Sequence, residues 1–388
     1  MNNERRICVL AGVIPPQYSG AGKRGLRHAT ILLEKGILWG LITHTHSLEQ
    51  SLLTNEYIHR FRSHKKKQNR LIILFTSVLF SIKSFVLLYK NRKNIDLIHD
   101  FGGLISYLGV ICFSKLFKVP LFKEFTLMPD FKKESSHWSQ KFRRKFELNN
   151  ADYIVCISKR LQIWCIDNNI KTPTVVIGND TSFQPAKVGK TELREHYLSS
   201  IYATKSPVLL FLGPKSVRKG FDIVMDCFDL ILEKYPNALL LLLGESQKEV
   251  NINNKKYNIS EYITNKQILD LGVQENPEPY YQLADITLFP SRREGFGNVI
   301  IESMAVGTPV IASKIEGITD CIIDNGIDGF LLEGDDPEGY VEAVDELIIN
   351  KELYSSVSKS AIRKIQEKFS QNIIMSQYLE LYKEITTR

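Results

Sequence analysis

Short apolar runs alternate with amphipathic stretches along most of the chain, and this alternation constrains the fold more than any other feature. Runs such as RICVLAGV and DYIVCIS in the first half, and PVLLFLG and ALLLLLG in the second, are apolar nearly throughout rather than at every second position. Strands of that kind, separated by helices, are typical of parallel sheets covered on both faces. The sequence therefore predicts an α/β protein with two doubly wound domains.

Charge is distributed unevenly between the two halves of the chain. The 388 residues carry a net charge of +7. Residues 1–200 hold 31 basic and 15 acidic residues, whereas residues 201–388 hold 19 basic and 28 acidic ones. The hydrophobic content of 44% excludes a disordered or collagen-like chain. A basic half joined to an acidic half indicates two domains with different partners.

We expect the two domains to be separated by a polar and charged stretch, Pro185–Pro207, that contains no core strand. The N-terminal domain is predicted at residues 1–190 and the C-terminal domain at residues 200–370. The last helix, at residues 371–388, is predicted to cross back to the N-terminal domain. Ligands of doubly wound sheets bind at the carboxyl ends of the strands, so functional residues should directly follow strands.

The cysteines and the N-terminus both favour a cytosolic protein. Six cysteines are scattered through the chain without a Cys-x-x-Cys pair, each in or beside an apolar run. They are therefore predicted to be reduced core thiols. The apolar stretch near the N-terminus is too short for a signal peptide.

One apolar segment, Leu71–Leu88, raises the question of a membrane. Lys83 interrupts it and serines at helical spacing give it a narrow polar stripe, so we predict a largely buried helix rather than a spanning one. Six basic residues precede it: Arg60, Arg62, Lys65, Lys66, Lys67 and Arg70. They form either a solvated loop or a patch for anionic lipid head groups on the inner face of the cytoplasmic membrane.

A second mixed pattern consists of Trp138, Phe142 and Phe146, which recur every four residues among basic side chains. An aromatic stripe at helical spacing predicts a core face. The alternative is an amphipathic face at a membrane interface.

The segment from Pro290 to Ser313, PSRREGFGNVIIESMAVGTPVIAS, reads as a strand end, a glycine-containing loop, a helix and another strand. Glu294 lies in the loop, and Glu302 follows eight positions later on the helix. The loop glycines allow the backbone to approach a ligand, and the start of the helix near Asn298 suits a diphosphate. The two carboxylates could accept hydrogen bonds from separate sets of sugar hydroxyls. The alternative is two ordinary surface glutamates.

This segment resembles the Glu-x7-Glu signature of the family 4 retaining glycosyltransferases. These enzymes have the GT-B fold, in which two doubly wound, Rossmann-like domains face a central cleft. The stretches FLGPKSVRKGFDIVMDCF, LLLLLGE and GIDGFLLEGDDPE are similar to family sequences and follow in the same order. In the first half, PPQYSGAGKRGLRHATILLEKG resembles the family's glycine-rich loop and first helix, and VVIGNDTSFQP its asparagine–aspartate stretch, shortened by two residues.

The resemblance implies a role for each matching residue. Glu294 would hold hydroxyls of the donor sugar beside the reacting carbon, and Glu302 would accept hydrogen bonds from the ribose. Lys219 would neutralise charge on the leaving diphosphate. The diphosphate would also meet the backbone of the loop and of the helix start, at Gly295, Phe296, Gly297 and Asn298.

The chain departs from the family pattern at two places. The family often has an Arg where this chain has Pro214, so Lys215 or Arg218 would supply the second cation. Many relatives carry a His after the strand here written VPLFKEFTL, where this chain has Glu124. Glu124 and His99 are candidates for an acceptor-side role, and the alternative for Glu124 is an ordinary strand-end carboxylate.

The residues Gly20 to Gly25, GAGKRG, match the dinucleotide-binding fingerprint as a bare pattern. About eight residues, two of them prolines, separate this pattern from the preceding strand, and the next strand offers no acid for a ribose, which argues against NAD. The resemblance implies instead a loop that approaches the donor phosphates through Gly20 and Gly22.

The sequence lacks the Asp-x-Asp, His-x-x-x-His and Cys/His patterns of metal sites, so neither a metal nor a cofactor is expected beyond the nucleotide-sugar donor. The resemblance implies a retaining, metal-independent glycosyltransferase of bacterial surface polysaccharide synthesis, such as lipopolysaccharide or capsule. Its acceptor would be a glycan or a lipid-linked saccharide. The alternatives are a nucleotide-sugar epimerase or hydrolase and a non-catalytic nucleotide-sugar-binding subunit. Nucleic acid is not an expected partner, because no aromatic platform accompanies the basic half.

Overall fold

The computed structural model describes residues 6–11, 20–43, 56–60, 70–101, 108–126 and 138–386. The chain forms two compact units, each built around one parallel sheet. Unit 1 comprises Met1–Ile157, Leu161–Ile177 and Met375–Arg388, and unit 2 comprises Ser158–Arg160 and Gly178–Ile374. The prediction of two doubly wound α/β domains is confirmed.

Unit 1 has, among its described residues, a seven-stranded sheet of the order β3-β2-β1-β4-β5-β6-β7. Its parallel strands are β1 (Ile7–Ala11), β2 (Leu38–Thr43), β3 (Ile58–Arg60), β4 (Leu97–Asp100), β5 (Leu121–Phe125), β6 (Tyr153–Cys156) and β7 (Thr174–Val176). Its helices are α1 (Gly20–Glu34), α2 (Arg70–Lys90), α3 (Leu108–Phe117), α4 (Trp138–Asn149) and α5 (Lys159–Asp167), with a 3-10 turn at Arg92–Asn94. The strand order reverses between β1 and β4, where sheets of this kind bind ligands.

Unit 2 has a six-stranded parallel sheet of the order β12-β9-β8-β13-β14-β15 and a separate antiparallel hairpin, β10-β11. The strands are β8 (Val208–Leu212), β9 (Leu239–Leu243), β10 (Glu249–Ile252), β11 (Lys255–Asn258), β12 (Ile268–Gly272), β13 (Ile286–Phe289), β14 (Val310–Ser313) and β15 (Phe330–Leu332). The order reverses between β8 and β13, so the loops that follow these two strands meet at one edge of the sheet.

The helices of unit 2 cover both faces of its sheet. They are α6 (Lys190–Tyr197), α7 (Ser200–Ala203), α8 (Phe221–Lys234), α9 (Ile259–Thr264), α10 (Glu278–Leu283), α11 (Asn298–Ala305), α12 (Pro337–Ile349) and α13 (Lys351–Lys368). Two 3-10 turns lie at Val217–Lys219 and Thr319–Cys321. The last helix, α14 (Gln371–Thr386), begins in unit 2 and passes into unit 1 at Met375.

The inner strand β9 explains why the core of unit 2 forms where it does. All five of its leucines are buried, because helices cover the sheet on both sides. On one face, Phe228 and Ile231 of α8 and Tyr340 of α12 pack against Leu240 and Leu242. This packing fixes α8 over the sheet and thereby positions the loop between β8 and α8.

The division between the units lies upstream of the predicted boundary stretch. Unit 1 ends at Ile177, and Pro185–Pro207 contains α6 and α7, which belong to unit 2. The polar residues of this stretch hold it to unit 2: Arg194 Nη2 lies 2.8 Å from Oδ1 of Asp285, and Lys190 donates to the hydroxyl of Tyr354 at 2.7 Å. The polar composition marks a surface that pairs with unit 2, not a linker.

Helix α1 begins at Gly20. The predicted glycine-rich loop at Gly20 and Gly22 is therefore the first turn of this helix. Gly25 lies inside the helix, where α1 packs closely against β1. A Cβ atom at this position would lie 2.8 Å from the Cβ atom of Ala11, so a side chain would not fit. The glycine permits close helix–strand packing and does not mark a helix boundary.

Three predictions of burial were wrong. Cys112 and Cys321 are exposed, while the other four cysteines are buried free thiols. Phe142 and Phe146 are 59% and 40% exposed, because α4 turns Leu148 inwards instead. In residues 78–90, the part of α2 whose side chains the structure describes, burial is confined to one side.

Candidate active site

Two loops of unit 2 come into direct contact at the carboxyl ends of β8 and β13. Gly220, which directly precedes α8, has a φ of +67°, and a Cβ atom there would lie 1.9 Å from the carbonyl oxygen of Pro290. Only glycine allows both this backbone conformation and this approach. The contact brings the residue before Gly220, Lys219, next to the loop that carries Glu294.

The side chains of Lys219 and Glu294 form an ion pair at this contact. Lys219 Nζ donates to Oε1 of Glu294 at 2.6 Å, and Nη1 of Arg218 lies 3.5 Å from the same oxygen. The Lys219 and Glu294 side chains are 13% and 12% exposed, and that of Arg218 is 39% exposed. The structure thus brings together three of the residues predicted to bind the donor.

Arg292, which the sequence reasoning did not identify, braces the same two loops. Its guanidinium donates to both carboxylate oxygens of Asp222 at 2.7 Å and to the carbonyl of Val217 at 2.6 Å. It also pairs with Asp335. A bidentate pair of this kind fixes both distance and orientation. In the sequence, Arg292 could have been identified as a candidate from its position two residues before Glu294.

Lys215, predicted as a candidate for the second cation, lies in a different environment. Its side chain is 1% exposed, and Nζ lies 3.3 Å from Oδ2 of Asp270 and 2.9 Å from the carbonyl oxygen of Glu245. It joins the β8 loop to the ends of β9 and β12. The Lys215 ammonium therefore has buried protein partners, whereas the Arg218 guanidinium is partly open to solvent.

Helix α11 begins at Asn298, immediately after the loop that carries Glu294. Gly297 has a φ of +148° and ends the loop, and the positive end of the helix dipole lies beside it. The Nδ2 of Asn179 donates to Oδ1 of Asn298 at 2.5 Å, which joins the asparagine–aspartate stretch to this helix start. Gly295 and Phe296 are buried, so the loop is held firmly from beneath.

Glu302 lies on α11 and is partly buried. The hydroxyl of Tyr281 on α10 donates to its Oε2 at 2.8 Å. This bond sets the orientation of the carboxylate. Tyr281 itself carried no sequence signal, because it lies on another helix 21 positions away.

The two candidate acceptor-side residues lie together in unit 1. The ring of His99 lies in the core beside that of Phe101, and its Nε2 lies 3.1 Å from Oε1 of Glu124. Both side chains are fully buried. Their role toward an acceptor stays a prediction.

His99 and Glu124 belong to a larger buried network that joins α1 to α14. Arg24 donates to the hydroxyl of Tyr378, which donates to Oε1 of Glu124 at 2.6 Å. The Tyr382 hydroxyl lies between Nε2 of His28, at 2.6 Å, and Nδ1 of His99. The network therefore links residues that are up to 354 positions apart in the chain.

The hydrogen-bond directions in this network follow from one constraint. A carboxylate only accepts, so Nε2 of His99 carries the proton that points at Glu124. In neutral His99 the Nδ1 then accepts, and the Tyr382 hydroxyl donates to it. The Tyr382 oxygen in turn accepts from Nε2 of His28. Each member thus has one defined protonation state.

The pKa shifts agree with this assignment. Burial lowers the pKa of His28 well below its usual value, and the charges of Arg24 and Arg27 and the neighbouring His99 lower it further. Burial also lowers the pKa of His99, although Glu124 opposes that shift. Burial alone would raise the pKa of Glu124, but Arg24 and the hydrogen bonds from His99 and Tyr378 leave it below the ordinary value. Both histidines are therefore neutral and Glu124 is ionised.

Several predicted features lie partly or wholly outside the described residues. Arg62, Lys65, Lys66 and Lys67 are not described, and of Arg60 and Arg70 the structure gives only the backbone, at the end of β3 and the start of α2. Among the described residues, no three His, Cys, Asp or Glu side chains come together as a metal site. No helix in the described part of the chain is long and apolar enough to cross a bilayer.

The sequence of unit 2 matches a known family. Residues 199–364 match the family model described as glycosyl transferases group 1. These residues form a group 1 glycosyl transferase domain. The match includes both loops that meet at Lys219 and Glu294, and the resemblance to glycosyltransferases is confirmed.

Curated relatives of the group 1 domain include two bacterial enzymes. The capsular polysaccharide biosynthesis glycosyltransferase CapM of Staphylococcus aureus is 27% identical over 239 residues, which cover 60% of this chain and 61% of that protein. The UDP-Gal:alpha-D-GlcNAc-diphosphoundecaprenol alpha-1,3-galactosyltransferase of Escherichia coli is 25% identical over 307 residues, or 76% of this chain and 77% of that enzyme. The chain thus spans about three fifths of the length of CapM.

Solved structures extend the likeness to the whole fold. A glycosyltransferase of Rickettsia africae matches with a TM-score of 0.74 over 99% of both chains, at 21% identity. At that identity the match concerns the fold alone, and it includes both units of the chain.

Proposed function

We propose that this protein is a retaining, metal-independent glycosyltransferase that moves a sugar from a nucleoside-diphosphate sugar to a glycan or lipid-linked saccharide in surface polysaccharide synthesis. The observation that carries the proposal is the pair of Lys219 and Glu294 at the start of α11. It combines a cation, a carboxylate and a helix N-terminus within one small region. These are the groups that a diphosphate and a sugar require.

In the proposed reaction the donor diphosphate lies between Lys219, Arg218 and the start of α11. The leaving diphosphate gains negative charge as the bond to the sugar breaks, and these groups stabilise that charge. Arg218 is the better candidate for the second cation, because Lys215 is already paired with Asp270 in a buried position. Glu302, oriented by Tyr281, would accept from the ribose hydroxyls.

Glu294 has two roles in this proposal. It pairs with Lys219 across the contact between the two loops. When the donor diphosphate binds the ammonium of Lys219, the carboxylate of Glu294 becomes available to accept hydrogen bonds from hydroxyls of the transferred sugar. The protein thus contributes positioning and charge stabilisation.

The names of the relatives support the pathway. One acts in capsule synthesis, and the printed name of another contains a UDP-sugar and a lipid diphosphate acceptor. We extend both features to this chain as a working assignment: UDP-sugars are the first donors to test, and undecaprenyl-diphosphate saccharides the first acceptors.

The proposal is tested by nucleotide release from a panel of UDP-, GDP- and ADP-sugars, with and without a mixture of short saccharide and lipid-linked acceptors. We expect release that depends on both a single donor class and an acceptor. Release without acceptor would indicate a hydrolase. Thermal stabilisation by a nucleoside diphosphate without any release would indicate a binding subunit.

A further inference from the structure

Helix α2 is apolar on both its buried and its exposed side. Ser84 is fully buried, and the hydroxyl of Ser81 accepts from the backbone N–H of Gly109 on α3 at 2.5 Å. On the opposite side, Ile82 and Val86 are 55% and 43% exposed. Ser81 and Ser84 of the polar stripe thus face the protein, and in residues 78–90 the solvent side consists of apolar residues and lysines.

Helix α3 lies beside α2 on the same face of the sheet. Phe85 and Phe113 have ring centroids 6.4 Å apart, and those of Tyr89 and Phe117, one turn further along each helix, are 5.5 Å apart. Gly109 allows the close approach, because a Cβ atom there would lie 2.0 Å from the carbonyl oxygen of Ser81. The two helices therefore run side by side and in parallel.

The exposed side of α3 continues that of α2. Leu108, Cys112 and Leu116, spaced by four residues, form one exposed stripe. We call the combined surface the outer face of α2 and α3: Val78, Ile82, Val86, Tyr89, Leu108 and Leu116. Within the described ranges of the chain, each of these side chains is exposed by more than a third of its surface.

The described charges near the outer face are mainly basic. Lys83, Lys90 and Lys118 are exposed beside it. Lys115 on α3 is also exposed, and it pairs with Asp152 at 2.7 Å. An apolar surface bordered mainly by cations is complementary to the interface of an anionic bilayer, where lysines reach the head groups and apolar side chains the acyl boundary.

We propose that the outer face of α2 and α3 inserts into the surface of an anionic membrane. The proposal deepens the proposed function, since it would hold unit 1 at the surface that presents a lipid-linked acceptor. Binding to lipid requires neither donor nor acceptor, so it is measured independently of transfer.

The two exposed cysteines provide a probe and its matched control. In a Cys321→Ser variant, Cys112 on the outer face is the exposed thiol, and in a Cys112→Ser variant the exposed thiol is Cys321 in unit 2. Each full-length variant is labelled with an environment-sensitive fluorophore. It is then mixed with vesicles of phosphatidylcholine alone or of equal parts phosphatidylcholine and phosphatidylglycerol.

We expect a blue shift and protection from acrylamide for the label at Cys112 with anionic vesicles, and no change for the label at Cys321. Equal responses of the two labels, or no response at Cys112, would overturn the proposal. A blue shift at Cys112 that grows with protein concentration without vesicles would instead show that the face binds a second copy of the chain.

A second experiment changes the surface itself. The double variant Ile82→Ser and Val86→Ser should weaken partitioning onto the anionic vesicles about tenfold, because it removes apolar area from the contact. The control is Val273→Ser with Ile349→Ser, which changes two apolar residues of unit 2 that are more exposed than Ile82 and Val86. Equal partitioning of the two double variants would contradict the proposal. Transfer to a water-soluble acceptor, measured in parallel, reports separately on the proposed function.

Discussion

Lys219 Nζ lies 2.6 Å from Oε1 of Glu294, although 75 positions separate the two residues in the chain. Both follow neighbouring strands of one parallel sheet, and Gly220 allows their loops to touch. The pair therefore depends on topology and on one glycine as much as on its own charges. The predictions below separate the groups that would act on the donor from those that hold the site together.

Replacement of Glu294 by Gln should lower acceptor-dependent transfer by about 100-fold or more, because a charged acceptor of hydrogen bonds from the sugar is lost. The thermal unfolding temperature should change little, since the amide oxygen of Gln can still accept the hydrogen bond from Lys219. Glu333→Gln serves as the control, because it removes another 2.6 Å ion pair, to Lys314, at an exposed position. Near-normal turnover of Glu294→Gln would refute the assigned role.

Lys215 and Arg218 should respond in opposite ways to substitution. Lys215→Met leaves Asp270 without its buried partner, and we expect a loss of about 3 kcal/mol in the free energy of unfolding. Replacing Asp270 by Leu in the same chain should restore much of that loss. Arg218→Gln should leave unfolding unchanged but raise the Kd for a nucleoside diphosphate about tenfold. Calorimetry and denaturant titration measure the two effects, and the reverse pattern would assign the second cation to Lys215.

The contacts by which Arg292 holds the two loops together should require a guanidinium group. Arg292→Ala removes the bidentate contact to Asp222 and should cost about 1–3 kcal/mol of unfolding free energy, together with donor affinity. Arg292→Lys should fail to restore either quantity, because an ammonium cannot make two parallel hydrogen bonds. Full rescue by lysine would mean that charge alone matters at this position.

The stability of the protein should fall as the pH drops below about 6.5. His28 and His99 have lowered pKa values in the fold, so the unfolded chain binds protons there that the folded chain does not. Between that pH and its own lowered pKa in the fold, each such histidine lowers the unfolding free energy by up to about 1.4 kcal/mol per pH unit. Glu124 adds to the loss only at lower pH, because its pKa in the fold is below its ordinary value.

Urea titrations between pH 7.5 and 5 measure this dependence. His28→Gln should reduce the slope, whereas His196→Gln, at an exposed position on α6, should leave it unchanged. An unchanged slope in His28→Gln would show that this histidine is protonated in the folded protein.

The sequence was most informative where function depends on residues close together in the chain. Glu294, Glu302 and the glycines of their loop lie within one strand–loop–helix segment, so their common location could be predicted from spacing. Helix and strand alternation likewise predicted both sheets, because strands covered on two faces are apolar nearly throughout.

The sequence was least informative where distant polar residues pair. No residue near Lys215 in the sequence indicates that it forms an ion pair with Asp270, on a different strand. Likewise, no residue near His28 indicates its hydrogen bond with Tyr382. Such pairs depend on the order of strands in the sheet and on the path of the last helix, which local patterns do not encode. The exposure of α2 was missed for a related reason, since an apolar helix has the same sequence pattern whether one side or both are covered.

Helix α14 gives unit 1 a discontinuous chain. Its first residues belong to unit 2, while Tyr378 and Tyr382 complete the buried hydrogen bonds of Arg24, His28 and Glu124 in unit 1. An exchange of N-terminal halves between relatives, whether by recombination in evolution or by design, would therefore fail if the junction were made only near Ile177. The donated segment has to include Met375–Arg388 as well, so the last residues of the chain should be inherited together with the first.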